Sequence, residues 1–173
     1  MLRKCWPLLV ILLFQFGTLY LMSRRAASAK FSGVEVQLRT EAYDPFDPLA
    51  GRYVQLHYQV EGDDSNVPYE PEEGEQIWIT VQRAEPAWAR VGLDLERGAF
   101  TIDRVSLRAE WRQGRARIPN ASRLYMQEEL CLEADELLRR DANAGIVTLG
   151  VDEAGNAIPK SLKLGNRIFY SSK

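Results

Sequence analysis

Gly51-Arg52-Tyr53-Val54-Gln55-Leu56-His57-Tyr58 follows a turn-rich run, Asp44-Pro45-Phe46-Asp47-Pro48. Asp bonds its own backbone and Pro presets its backbone angle, so the run reads as a loop that delivers the chain into a strand. Successive side chains of a strand point to opposite faces. Val54, Leu56 and Tyr58 therefore share one face, and Tyr53, Gln55 and His57 share the other. The first set is apolar and is expected to seed a core. The second carries nothing that needs burial, so with Asp47 of the turn it is the candidate binding face. His57 is the single histidine of the chain. On this pattern it is a partly exposed strand residue.

Outward from this stretch the same periodicity recurs. Val34, Val36 and Leu38 alternate with Glu35, Gln37 and Arg39, giving a half-buried strand. Residues 61–75 read as a loop, broken by Gly62, Pro68, Pro71 and Gly74, with seven Asp or Glu among fifteen residues. Residues 76–81 follow as a strand with Ile77, Ile79 and Val81 on one face. Residues 88–95 make another, and 100–111 alternate loosely around Ile102, Val105, Leu107 and Trp111. Residues 127–141 carry Leu130, Cys131, Ala134, Leu137 and Leu138 at three- and four-residue steps, the apolar stripe of a helix. Glu128 and Glu129 open it and Arg139 and Arg140 close it, matching the helix dipole. Residues 146–151 and 157–164 then form a hairpin, in which Pro159 marks an edge or a bulge. The fold class is mainly β (α+β): a twisted antiparallel sheet or partly open barrel with one packed helix.

Ahead of this domain, residues 5–22 form an eighteen-residue run without a formal charge. As a helix it would be about 27 Å long, close to the hydrocarbon thickness of a bilayer. Trp6 and Tyr20 lie near its ends, and Arg3, Lys4, Arg24 and Arg25 flank it, as interfacial and basic anchors do. A cleaved signal peptide is the rival, because Ala27-Ser28-Ala29 fits a small-x-small site. The length of the run and the two arginines before that site favour an uncleaved anchor. The organisation is thus an anchor over 1–25, a linker over 26–32 and a β-rich domain over 33–173. The basic groups on the two sides of the run nearly balance, and the domain is read as extracytoplasmic.

Composition excludes several functions. Formal net charge is −2, so no basic surplus draws in a nucleic-acid backbone. The two cysteines, Cys5 and Cys131, make neither a disulfide framework nor a metal-ligand spacing. Phosphate-cradling glycine loops, CxxC pairs and HExxH are absent, and no cofactor is expected. Asp44 and Asp47 suit turn chemistry better than a cation site, and the acidic loop lacks the ordered alternation of a calcium loop. Two hydrolytic arrangements stay open: His57 as a general base, and Ser161 with Lys163, which share a strand face as a serine–lysine dyad would.

Gly51, Tyr53, Leu56 and Tyr58 fall on four of the five defining positions of the GDYXXLXY signature, with Arg52 standing where the signature has Asp. Residues 123–129, Arg-Leu-Tyr-Met-Gln-Glu-Glu, resemble that family's second block, with Met126-Gln127 in place of a hydrophobic residue and Pro. The chain thus resembles the GDYXXLXY domain family. The resemblance implies a bacterial, membrane-anchored protein and an integral membrane protein as a partner, but no reaction. The reading from sequence is a membrane-anchored, β-rich binding or accessory module of the cell envelope, held to lipid by residues 5–22. The alternative is a membrane-tethered hydrolase using His57 or the Ser161/Lys163 pair.

Overall fold

The computed structural model of the chain describes residues 12–18, 20, 33–41, 53–62, 71–141 and 145–171. In chain order the elements are β1 (Val34–Arg39), β2 (Tyr53–Gln55), a 3-10 turn (Gln59–Glu61), β3 (Gln76–Gln82), β4 (Ala89–Asp94), β5 (Arg104–Arg112) and β6 (Arg115–Arg117). β7 (Arg123–Tyr125), α1 (Glu128–Arg140), β8 (Gly145–Val151), β9 (Ala157–Leu164) and β10 (Arg167–Tyr170) follow. The fold is mainly β, as expected, and every strand pairing is antiparallel. A single sheet is not what forms. Among the described residues there are three: β1-β8-β9-β10, β4-β3-β5-β6 and the short pair β2-β7.

The reason for the third sheet lies in the signature segment. β2 ends after three residues because the Leu56 N–H donates to the Ser122 carbonyl, outside any strand (2.8 Å). The chain then makes one bridge from Tyr58 to Thr40 and turns into the 3-10 turn. β2 pairs with β7 in the register Tyr53–Tyr125, Val54–Leu124 and Gln55–Arg123. The two stretches that carry the family resemblance are therefore hydrogen-bonded to each other.

Alternation decides burial where it was read. Val36, Leu38, Ile77, Ile79, Val81, Val105 and Leu107 are fully buried, as are Val54, Leu56 and Tyr58 of the signature segment. They share one continuous core with Val147, Leu149 and Leu162 of the β8–β9 hairpin. Ile102 departs from its reading: it stands exposed in the bend before β5, so that strand's apolar face starts at Val105. β3 is buried on both faces, because Trp78 and Thr80 are covered as well. Gly155 in the β8–β9 turn closes that second face. Its backbone has φ +78°, and a Cβ there would come within 2.5 Å of the Trp78 ring. Its carbonyl accepts the Arg108 N–H of β5 (2.9 Å), so the turn is sealed onto the sheet by a backbone bond.

α1 lies against β2 and β9 and buries Cys131 and Ala134. Leu130, Leu137 and Leu138 pack partly against the same core. Pro159 sits at a bulge, where the β8–β9 register shifts between Thr148 and Leu149. A proline's missing N–H is tolerated there. β10 was not anticipated. Only Phe169 of its four residues is buried, so no alternation marks it. At the amino-terminal side, residues 12–18 are helical and exposed. Among the described residues no helix is long and apolar enough to cross a membrane, and most of the run 5–22 lies outside them.

Tyr58 ties this architecture together. Its ring is fully buried and its hydroxyl donates to the Ala121 carbonyl (2.6 Å), in the loop that leads into β7. Tyr58→Phe strands that buried carbonyl, and an unsatisfied buried acceptor costs about 1–3 kcal/mol. Chemical denaturation should show a loss of that size. A change within error would mean that water replaces the hydroxyl.

Candidate functional site

Beyond Tyr58 the chain turns inward at Glu61. The correction concerns Glu61, read from sequence as the first residue of an acidic loop. It closes the 3-10 turn and is only 2% exposed. A buried carboxylate demands partners. Glu61 Oε1 accepts the Ile118 N–H (2.8 Å) and Oε2 the Tyr58 N–H (3.3 Å). The Arg117 guanidinium stands 3.5 Å from Oε2, and His57 Nδ1 3.9 Å from it. Burial nevertheless dominates, raising the Glu61 pKa to about 7 despite the two backbone N–H groups and Arg117.

His57 is buried as well, which corrects its reading as a partly exposed strand residue. It keeps the side it shares with Gln55, but Arg117 of β6 and Glu61 cover it there. An Arg117 Nη1–His57 Nδ1 hydrogen bond fixes the ring. Guanidinium nitrogens only donate, so Nδ1 accepts and the neutral ring carries its proton on Nε2. Desolvation, then Arg117 and Arg115, lower its pKa to about 4. Near neutral pH the cluster therefore holds a neutral imidazole and a carboxyl poised between its two forms.

Above the cluster opens a cleft of about 370 Å³. Gln55 and His57 line it from the signature segment, Glu61 from the 3-10 turn, Glu110 and Arg112 from β5, and Arg117 from β6. Ser122 closes the far side, its Oγ donating to the Pro119 carbonyl (3.2 Å). Glu110 pairs with Arg112 (2.8 Å) and Arg115 with Glu41 (3.3 Å).

The residues singled out from sequence divide here. Gln55 and His57 meet in the cleft, whereas Tyr53 turns to Tyr125 (ring centroids 5.7 Å apart) and lies under the Arg123 guanidinium (4.9 Å). Asp47, Asp44 and Gly51 lie outside the described residues, as does the acidic stretch 63–70. Glu73 and Glu75 of that loop accept backbone N–H groups, from Gln113 and Glu72 (both 2.9 Å). Among the described residues no cluster of three or more His, Cys, Asp or Glu is placed to hold a metal. Ser161 and Lys163 share a face of β9 as read, but no hydrogen bond joins them and neither lines the cleft. Cys131 is a free, buried thiol whose pKa burial raises. Sequence reasoning missed Glu61, Arg117 and Arg115. The i, i+4 spacing of His57 and Glu61 was the one local signal; Arg117 is brought in by tertiary structure.

This is a small antiparallel β domain with a charged cleft built beside its signature segment. The sequence matches the family model described as "GDYXXLXY protein" over residues 15–162, and the chain belongs to that family. No curated protein and no solved structure matches it.

Proposed function

We propose that the chain is a membrane-anchored binding module of the bacterial cell envelope whose ligand site is the cleft at the signature segment. One observation carries this reading: the signature segment, β5, β6 and the loop before β7 all contribute polar or charged side chains to one open cleft. A structural role alone would need Glu61 and Arg117 but not a cleft above them. The uncharged run 5–22 with its basic flanks supports the anchor.

The chemistry of the cleft favours binding over hydrolysis. A general base works best with a pKa near the operating pH, and Arg117 occupies His57 Nδ1 and helps to hold the imidazole at about 4. The Ser122 hydroxyl donates to a backbone carbonyl rather than to His57.

Site-specific photo-crosslinking in membranes tests the reading. A crosslinker at Gln113, on the cleft rim, should capture a discrete product that a crosslinker at Lys163 on β9 does not. The reading fails if both positions give the same products. It fails equally if the purified chain shows a hydrolytic activity that His57→Ala removes.

A further inference from the structure

A second cavity of about 230 Å³ lies beside the cleft and shares Glu110, Ile118 and Pro119 with it. The two form one groove along the outer face of the β5–β6 hairpin. Strand alternation sets the charge of that face. On β5, Arg108, Glu110 and Arg112 alternate with buried Leu107 and Ala109, leaving their side chains outward. On β6, Arg115 and Arg117 flank the buried Ala116. The register sets Arg117 opposite Glu110 and Arg115 opposite Arg112.

Four guanidiniums thus gather on one hairpin face of a chain whose net charge is −2. Their carboxylate partners are three. Glu110 takes Arg112, Glu41 takes Arg115 and Glu61 takes Arg117, while among the described residues no carboxylate pairs with Arg108. The guanidinium fork matches planar and tetrahedral oxyanions with two parallel bonds.

We infer that the groove binds an oxyanion, a carboxylate or phosphate carried on an extended polar ligand, which sits on Arg112 and Arg117 while Glu61 takes up a proton. The inference rests on the reading of the cleft as the ligand site and names its ligand class. The proton comes from solvent, and no covalent bond changes. Its cause is competition for one cation. Arg117 is among the groups that hold Glu61 ionised, so an anion that shares Arg117 shifts the buried carboxyl further toward its protonated form.

The other groups facing Glu61 do not mask this exchange. Burial pushes the Tyr58 phenol up, and it stays protonated on the Ala121 carbonyl. His57 is neutral above about pH 4. Arg115 and Arg112 each have their own carboxylate, Glu41 and Glu110.

Titration calorimetry on the full chain in detergent micelles tests the inference, using hexaglutamate peptide and inorganic phosphate as probes and hexalysine as the control. Running it at pH 6 and pH 8, in buffers of different ionisation enthalpy, measures proton uptake. The hexaglutamate is acetylated at its amino terminus and so keeps its charge over this range, and a change in its affinity reports the protein. The wild type should bind it about five- to tenfold tighter at pH 6 than at pH 8 and take up a fraction of a proton. Glu61→Gln should bind equally at both pH values with no uptake. Arg108→Ala/Arg112→Ala, both at exposed positions, should weaken binding at least about tenfold with the fold intact by circular dichroism. Whichever anion binds names the carrier chemistry.

The inference is overturned if neither anion binds at millimolar concentration, if hexalysine binds as well, or if uptake persists in Glu61→Gln. Should the anions fail while the Gln113 crosslink persists, the ligand class is wrong and the cleft reading stands. If the crosslink fails too, both fall.

Discussion

Leu56→Ala is expected to remove about 2–5 kcal/mol of folding stability, a large share of the total for a domain of this size. Leu56 is only 1% exposed and lies within the continuous core, with Val54, Tyr58 and Leu124 of the signature region. The site has little freedom to collapse onto a truncated side chain. Its own N–H is held by the Ser122 carbonyl (2.8 Å), and the next residue's carbonyl accepts the Glu41 N–H (2.8 Å). A backbone tied on both sides keeps the cavity open, which puts the loss toward the upper part of that range. In urea denaturation the midpoint should fall with little change in slope. Gln55→Ala, one residue away on the cleft side, is the matched control and should cost under about 1 kcal/mol. Equal losses in the two variants would contradict the inward orientation of Leu56.

The same segment shows what the sequence could and could not reveal. Alternation carried the assignment of Val54, Leu56 and Tyr58 to the core, and of Val36, Leu38, Ile77, Ile79 and Val81, because period two is a property of the strand itself. The helix over 128–140 was legible from its apolar stripe and its charged ends. The exposure read for His57 failed because Arg117 of β6 and Glu61 of the 3-10 turn cover the side it shares with Gln55. Glu61 failed for a related reason. Its acidic neighbours in sequence suggested a solvated loop, whereas its orientation is set by the N–H groups of Tyr58 and Ile118. Arg117 arrives from 56 positions beyond Glu61, and its place depends on the β5–β6 pairing. A three-residue strand such as β6 or β7 offers too few alternations to be read. The charged cleft is therefore a tertiary product, while the core beneath it follows from local pattern.

The buried pair gives the sharpest measurable consequence. Glu61 has its pKa raised from 4.5 to about 7, so its contribution to stability is full below pH 4.5 and is lost as pH rises through about 7. His57 has its pKa lowered from 6.5 to about 4, so its contribution is present above pH 6.5 and is lost as pH falls through about 4. Between these limits the two dependences oppose each other, and their sum in the wild type is nearly flat. The difference between the wild type and a variant lacking one partner isolates that partner's own dependence. Glu61→Gln should lose stability relative to the wild type as pH falls from 7 to 4.5, by up to about 3 kcal/mol. His57→Gln should lose it in the opposite direction, by a similar amount, as pH rises from 4 to 6.5. Reporting each variant as a difference from the wild type at the same pH cancels the carboxylates elsewhere in the chain, which titrate in all three proteins. Chemical denaturation at four or five pH values suffices to see two lines of opposite slope. Parallel offsets that do not change with pH would show that the two groups keep ordinary pKa values and that burial does not control their ionisation. Opposite slopes would establish a proton-sensitive pair in the floor of the cleft, the property on which the exchange of ligand charge for a Glu61 proton depends.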